Sequence, residues 1–210
     1  MPLPQNQTSR RYTWNDYQGW PDDERWELIH GEAFAMSPSP TSRHQSIAAE
    51  LVSALSHSLR GKSCRVFIAP LDVKLAEDTV VQPDLVVVCD PHQIQRTHIA
   101  GAPKLVVEIL STSTWRHDRM RKLNLYAQVG VAEFWLVTPH PGLVEVLELR
   151  DGRYTIAGTF LPEDTLTSPT FPELRLALPN VFDFPIEPDE QIDMVKESSP
   201  PYDIAAADAR

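Results

Sequence analysis

Two stretches decide the fold: PDLVVVC, from Pro83 to Cys89, and LVVEIL, from Leu105 to Leu110. Successive residues in both are apolar, so both faces of each strand are apolar, which suits central strands covered on either side. Each run carries one acid. Asp84 opens the first, directly after a proline, and Glu108 interrupts the second in its middle. An ionised carboxylate in a covered strand is costly unless it is paired, protonated or bound to a metal. That cost makes Glu108 the strongest local pointer to function. The bland alternatives are a salt bridge to an arginine for Glu108 and an ordinary strand-opening acid for Asp84.

Working outward, Arg65 to Ile68 and Leu71 to Leu75 read as further strands around Pro70. The second alternates Leu71, Val73 and Leu75 inward against Asp72 and Lys74, and Asp72 borders the site on this reading. Upstream, Thr41 to Leu59 has Ile47, Ala48, Leu51, Val52, Leu55 and Leu59 on one helical stripe, with Gly61 as a stop. Trp26 to Met36 forms a hairpin turning at His30-Gly31, after a short amphipathic helix from Tyr12 to Trp20. Downstream, Pro91 to Pro103 reads as a loop or short helical turn. Thr114 to Val129 reads as a second helix with Met120, Leu123 and Ala127 on one face. Glu133 to Val137, Leu143 to Leu149 and Arg153 to Ala157 are strands, the last two joined at Asp151-Gly152. Beyond Phe160 the apolar pattern is irregular. The expected class is α/β in the broad sense: an α+β domain whose central mixed sheet is flanked by helices, over residues 1–186. Residues 187–210 are acidic and hold prolines with little to bury, and are expected to be disordered.

A chain of 210 residues with 42% hydrophobic content supports one domain with a real core. No stretch reaches the roughly 18 consecutive apolar residues of a spanning helix. The first residues, MPLPQNQTSRRY, show no apolar secretory segment. A soluble, cytoplasmic protein with no membrane partner is expected. Cys64 and Cys89 are then expected as two reduced, buried thiols, with a disulfide as the lesser alternative, and no zinc-ligand spacing surrounds them.

The net charge of −10 argues against a protein that coats nucleic acid. Half of the excess sits in the tail, however, and WRHDRMRK from Trp115 to Lys122 sets four positive charges against one negative. An acidic protein can still focus a positive field on one groove.

Strand geometry allows the two acids to act together. Neighbouring strands lie roughly 4.8 Å apart, so carboxylates at matching heights can share one divalent ion. Magnesium takes one or two carboxylates and completes its shell with water and substrate phosphate. Such an ion polarises a phosphoryl oxygen and activates water near neutral pH.

The segments WELIHGEAFAMSPSPTSRHQ (26–45), APLDVKL (69–75), VVQPDLVVV (80–88) and LVVEILSTST (105–114), followed by the D-x-x-x-K of Asp118 to Lys122, resemble the Uma-two family. That family is one of restriction endonucleases with the PD-(D/E)XK nuclease fold, and the likeness runs from about Trp14 to Phe182. The resemblance implies a restriction-endonuclease-like core with an N-terminal hairpin. It casts Asp84 and Glu108 as metal-holding, catalytic acids, the Ile109 carbonyl as a further metal contact, Mg (or Mn) as cofactor and DNA as substrate. Leu110 stands where the motif lysine is usual, and Lys122, from the following helix, is the matching residue. It would act as a point charge on the transition state, or else form an i,i+4 ion pair with Asp118 on an exposed face. Glu32 matches a recurrent family acid that could complete the metal shell, though it also suits a solvated turn. His44 could meet phosphate at a helix N-terminus or be an exposed residue of the cap. Arg116, Arg119 and Arg121 could track a nucleic-acid backbone or form a solvated basic face. His30 and Thr112 depart from the family pattern at loop positions. A triad of Ser111, His117 and Asp118 is disfavoured, since no G-x-S-x-G elbow exposes the serine.

These residues point to a metal-dependent endonuclease that hydrolyses DNA phosphodiesters with metal-activated water. A catalytically inactive nuclease-fold module for binding or regulation is the alternative, motivated by the charge and the displaced lysine. Hydrolysis of another phosphate ester is a third. A homodimer is the default for cutting two strands with one site per chain.

Overall fold

The computed structural model describes residues 10–21, 24–36, 40–110 and 115–184, with the backbone alone for 115–120. The expected tail, 187–210, lies outside the described residues. The first helix among the described residues is a single turn, α1 (Trp14–Tyr17), shorter than the helix expected from Tyr12 to Trp20. The hairpin follows as β1 (Trp26–Ile29) and β2 (Glu32–Ala35), and then α2 (Ser42–Ser58). Next come β3 (Arg65–Ile68), β4 (Asp72–Ala76), β5 (Thr79–Val81), β6 (Leu85–Val88), a 3-10 turn at Pro91–Gln93 and β7 (His98–Ala100). The second half runs β8 (Leu105–Ile109), α3 (Trp115–Val129), β9 (Glu133–Thr138), β10 (Leu143–Arg150) and β11 (Arg153–Phe160). It closes with β12 (Thr165–Thr167), β13 (Arg175–Ala177) and α4 (Leu178–Phe182).

The mixed sheet flanked by helices is present, but the strands divide between two main sheets rather than one. The central sheet has the order β11-β10-β9-β8-β6-β3, and only its β8–β9 pair is parallel. The helix α3 makes that parallel crossover, as a βαβ unit requires. The N-terminal hairpin belongs to a second sheet, ordered β2-β1-β5-β4-β7. The strands β12 and β13 form a small third sheet. The strands β5, β7, β12 and β13 were not expected. Each has three residues, too few to display a period.

Both faces of the central sheet are covered, which accounts for the unbroken apolar runs. On one side Leu85, Val87, Leu105, Val107 and Trp135 pack with Ile47, Leu51 and Leu55 of α2 and with Val181 of α4. On the other, Val86, Val88, Val106, Phe134 and Leu136 pack with Leu125 and Tyr126 of α3 and with Ile29, Val73, Val81 and Ile99 of the second sheet. Full burial of each such leucine is worth about 1.5–3 kcal/mol. The helix α2 starts where the Thr41 side chain accepts the His44 N–H at 3.2 Å.

The hairpin turns through His30 (φ 50°) and Gly31 (φ 78°). Two consecutive left-handed residues fit the twist of a two-residue hairpin. A Cβ at Gly31 would also lie 2.9 Å from the Arg11 Cβ, so glycine is required twice over.

The expectation of free thiols is overturned: Cys64 and Cys89 form a disulfide. The cause is register. The β3–β6 ladder pairs Arg65 with Val88, and one step outward sets the two cysteines face to face. Spacing along the chain does not display that pairing.

Candidate active site

The acid expected on each central strand is held at a set height by the ladder. In the β6–β8 pair Leu85 faces Val107 and Val86 faces Val106, so the next step places Asp84 opposite Glu108. Directly opposed residues of an antiparallel pair have Cβ atoms roughly 4.5–5.5 Å apart. Asp84 is pinned further: its Oδ2 accepts the Ile109 main-chain N–H at 2.7 Å, and its Oδ1 lies 3.3 Å from His44 Nε2. His44, from α2, is therefore an inward-facing partner of Asp84 rather than an exposed cap residue. Burial pushes its pKa down. The Asp84 hydrogen bond and charge, the Ile109 carbonyl and the Glu108 charge outweigh that and leave it above the ordinary histidine value.

Glu108 shares its sheet face with Val106, the face over which α3 crosses. That crossing aims Lys122, Leu125, Tyr126 and Val129 at the sheet, a stripe of i, i+3, i+4 and i+7 spacing. Of the Met120, Leu123 and Ala127 face read from the sequence, Leu123 also packs, half-buried, on this core, and the Met120 side chain lies outside the described residues. Lys122 Nζ lies 3.0 Å from Glu108 Oε1, and the Tyr126 hydroxyl donates to the same oxygen at 2.7 Å. The side chains of Glu108 and Lys122 are only 12% and 14% exposed, so the solvated ion-pair alternative for Lys122 does not describe it. Burial drives the Glu108 pKa up to about 7; Lys122 and the Tyr126 hydrogen bond oppose this, while Asp84 and Glu27 add to it. The opposite holds for Lys122, whose flanking carboxylates overcome burial and raise its pKa, keeping it charged. Burial first, then the Glu108 charge, raises the Tyr126 pKa, so it remains a donor.

A third acid completes the cluster. Glu27, on β1, lies 3.1 Å from Lys122 Nζ. Sequence reading passed over it and selected Glu32, which shares its face of the hairpin but sits exposed at the turn. The signal was available: Glu27 interrupts WELI as Glu108 interrupts LVVEIL. That signal has a bland outcome too. Glu133 is fully buried in β9, where it accepts from Trp135 Nε1, Ser168 Oγ and the Thr170 N–H and simply ties a loop down.

Asp72 stands one step behind the cluster, accepting from the Tyr17 hydroxyl at 2.7 Å and from Gln82 Nε2 at 2.9 Å. Arg121 stacks on Phe34 of β2, 4.0 Å from the ring centre. Arg116, His117, Asp118 and Arg119 fall where side chains lie outside the described residues, as do Ser111 and Thr112.

The family model described as "Putative restriction endonuclease", Uma2, matches residues 14–179. The chain belongs to the Uma2 family. By that description the family's activity is nucleolytic, and the matched span holds Glu27, His44, Asp84, Glu108, Lys122 and Tyr126. An uncharacterized protein of Synechocystis sp. is 28% identical to this Uma2 chain over 137 residues, 65% of this chain and 70% of that one. The crystal structure of "a putative nuclease belonging to DUF820" from Anabaena variabilis superposes with a TM-score of 0.66 at 22% identity. The superposition covers 81% of this chain and 97% of that one. At that identity the likeness concerns the fold.

The donor set suits a hard divalent cation. Asp84, Glu108 and the Ile109 carbonyl offer oxygen only, and Lys122 and Tyr126 both bond Glu108 through Oε1. Two carboxylates, Glu108 and Glu27, share the single Lys122 ammonium, while Asp84 is paired with His44. Among the described residues no group of three or more His, Cys, Asp and Glu side chains is placed to hold a metal. An oxygen-only set of this kind lacks the nitrogen and sulfur ligands typical of a zinc site. Among the described residues no helix is long and apolar enough to cross a membrane.

Proposed function

We propose that the protein is a divalent-metal-dependent endonuclease that hydrolyses DNA phosphodiester bonds. The observation that carries this reading is the convergence, inside a Uma2 chain, of Asp84 and Glu108 at opposed ladder positions with Lys122 3.0 Å from Glu108. Asp84, Glu108 and the Ile109 carbonyl would hold the cation, Mg or Mn. When bound, it supplies Lewis-acid polarisation of the phosphate and a lowered water pKa.

The remaining work falls to the chain. Lys122 is kept protonated by its two acids, so it contributes positive charge and hydrogen-bond donors where a pentavalent phosphate gains negative charge. It is not the general base. His44 and the Ile109 N–H orient Asp84, and the Tyr126 hydroxyl orients Glu108. Low exposure of the cluster limits competing water and strengthens each of these interactions.

Supercoiled plasmid tests the reading. With Mg²⁺ or Mn²⁺ the parent nicks it, Asp84→Ala and Glu108→Gln abolish nicking, and Lys122→Met lowers turnover on the order of 10²–10³-fold. Nicking by the Asp84→Ala, Glu108→Gln double variant at the parental rate would overturn the assignment. One observation favours a non-catalytic binding module, namely that Lys122 already neutralises Glu108. Calorimetry separates the two, because the module predicts no carboxylate-dependent uptake of Mn²⁺.

A further inference from the structure

Lys122 is held by acids from two different sheets. Glu108 reaches it from β8 at 3.0 Å and Glu27 from β1 at 3.1 Å. Glu27 is not loosely placed. It is 7% exposed, and the Oε1 that meets Lys122 also accepts the Gln82 main-chain N–H at 3.1 Å. Gln82 is fixed in turn, donating to Asp72 while its Oε1 accepts from Arg25 Nε and Nη2 at 3.0 and 2.9 Å. Tyr17 closes the chain by donating to Asp72. A series of hydrogen-bonded groups thus runs from α1 through β4 and ends on the ammonium. Glu133 provides the contrast, since its three donors are neutral and tie down a loop. Glu27 spends its oxygen on a cation that Glu108 also binds.

Charge explains why a second acid is needed. If Glu108 binds a divalent cation through its other oxygen, the metal draws off the charge that Oε1 offers Lys122, its hold on the ammonium weakens, and the cation repels it. A lysine on a flexible four-carbon stem would then swing out to solvent. With Glu27 present, Lys122 keeps a carboxylate of its own once Glu108 is committed to the cation, whereas Asp84 is already paired with His44. Resting on the nuclease reading above, we propose that Glu27 is the positioning residue for Lys122, retaining it beside the phosphate while Glu108 engages the metal. This role draws Asp72 and Tyr17 into the site's support.

The experiment compares the parent, Glu27→Gln and Glu27→Asp, each checked for native circular dichroism. Glutamine keeps the size and the acceptor for the Gln82 N–H but drops the charge. Plasmid nicking in Mn²⁺ should show turnover falling on the order of 10²-fold in Glu27→Gln, as misplacement by about 1 Å costs. KM should hold within about threefold, and aspartate should restore part of the rate. A fall carried by KM, or none at all, overturns the proposal. Crystals soaked in Mn²⁺ give a readout that needs no turnover. The parent should show the ion at Asp84 and Glu108 with Lys122 Nζ on Glu27, and Glu27→Gln should show Nζ displaced. Nζ still on Glu108 in the soaked parent, Nζ unmoved by the substitution, or no ion between the two acids would each overturn it. A parent that binds Mn²⁺ in this arrangement yet cuts nothing would sink the nuclease reading while leaving the positioning role intact.

Discussion

Replacing Glu108 by glutamine should become relatively less costly to stability as the pH rises, by an amount the site itself sets. Burial, with the charges of Asp84 and Glu27, carries the Glu108 pKa from 4.5 to about 7 against the opposing pull of Lys122 and Tyr126. The folded protein therefore binds more protons than the unfolded chain between those values, and stability is lost across that window as pH rises. At 1.36 kcal/mol per unit the loss amounts to about 3 kcal/mol, complete above pH 7. Glutamine carries no such proton, so the stability of the parent minus that of Glu108→Gln should fall by about 3 kcal/mol from pH 4.5 to 8. Urea unfolding in EDTA, followed by tryptophan fluorescence, reads this as a relative midpoint change of about 1 M for an m-value of roughly 2–3 kcal/mol/M. Saturating Mg²⁺ should shrink the fall, because a bound cation favours the ionised carboxylate. A difference that stays flat across the range would refute the claim that burial outweighs the Lys122 and Tyr126 partners at Glu108.

His44 should titrate above 6.5 by NMR in EDTA. Asp84→Asn, which removes the charge but not the burial, should lower its pKa. Its contribution to stability is present at acid pH and lost as the pH passes its folded pKa, and an unshifted midpoint in both proteins would contradict the pairing. The disulfide closes a loop of 25 residues. Replacing both cysteines by alanine should cost about 3.5 kcal/mol on the chain-entropy model, and unreduced protein should take up no iodoacetamide by mass spectrometry.

What could be read from the sequence follows from how each signal is carried. The covered strands of the central sheet, the helix capped by Thr41 and both two-residue hairpins announce themselves locally, through period and turn chemistry. Three-residue strands such as Thr79–Val81 carry no period, and their pairing comes from the partners they meet. The same division runs through the site. Asp84 and Glu108 stand out because each spoils an apolar run, and Lys122 was reached by resemblance. Glu27 spoils a run as well, but in a short strand where an acid looks ordinary, and only the meeting of two sheets reveals its partner. Tyr126 was hidden because a tyrosine in a helix reads as core, which it also is. The cysteine pair was misjudged because pairing across a ladder depends on register, a property of two strands at once.

The cluster draws on positions 27, 84, 108 and 122, with the first on a separate layer from the rest, so none of its charges is neutralised by a neighbour along the chain. Contacts this distant form late, after long loops have been closed. A partly unfolded chain that keeps the central strands but parts the two sheets lacks the hairpin's carboxylate, leaving the lysine without its second anchor. The site proposed for phosphodiester cleavage is therefore complete only when both sheets are in place.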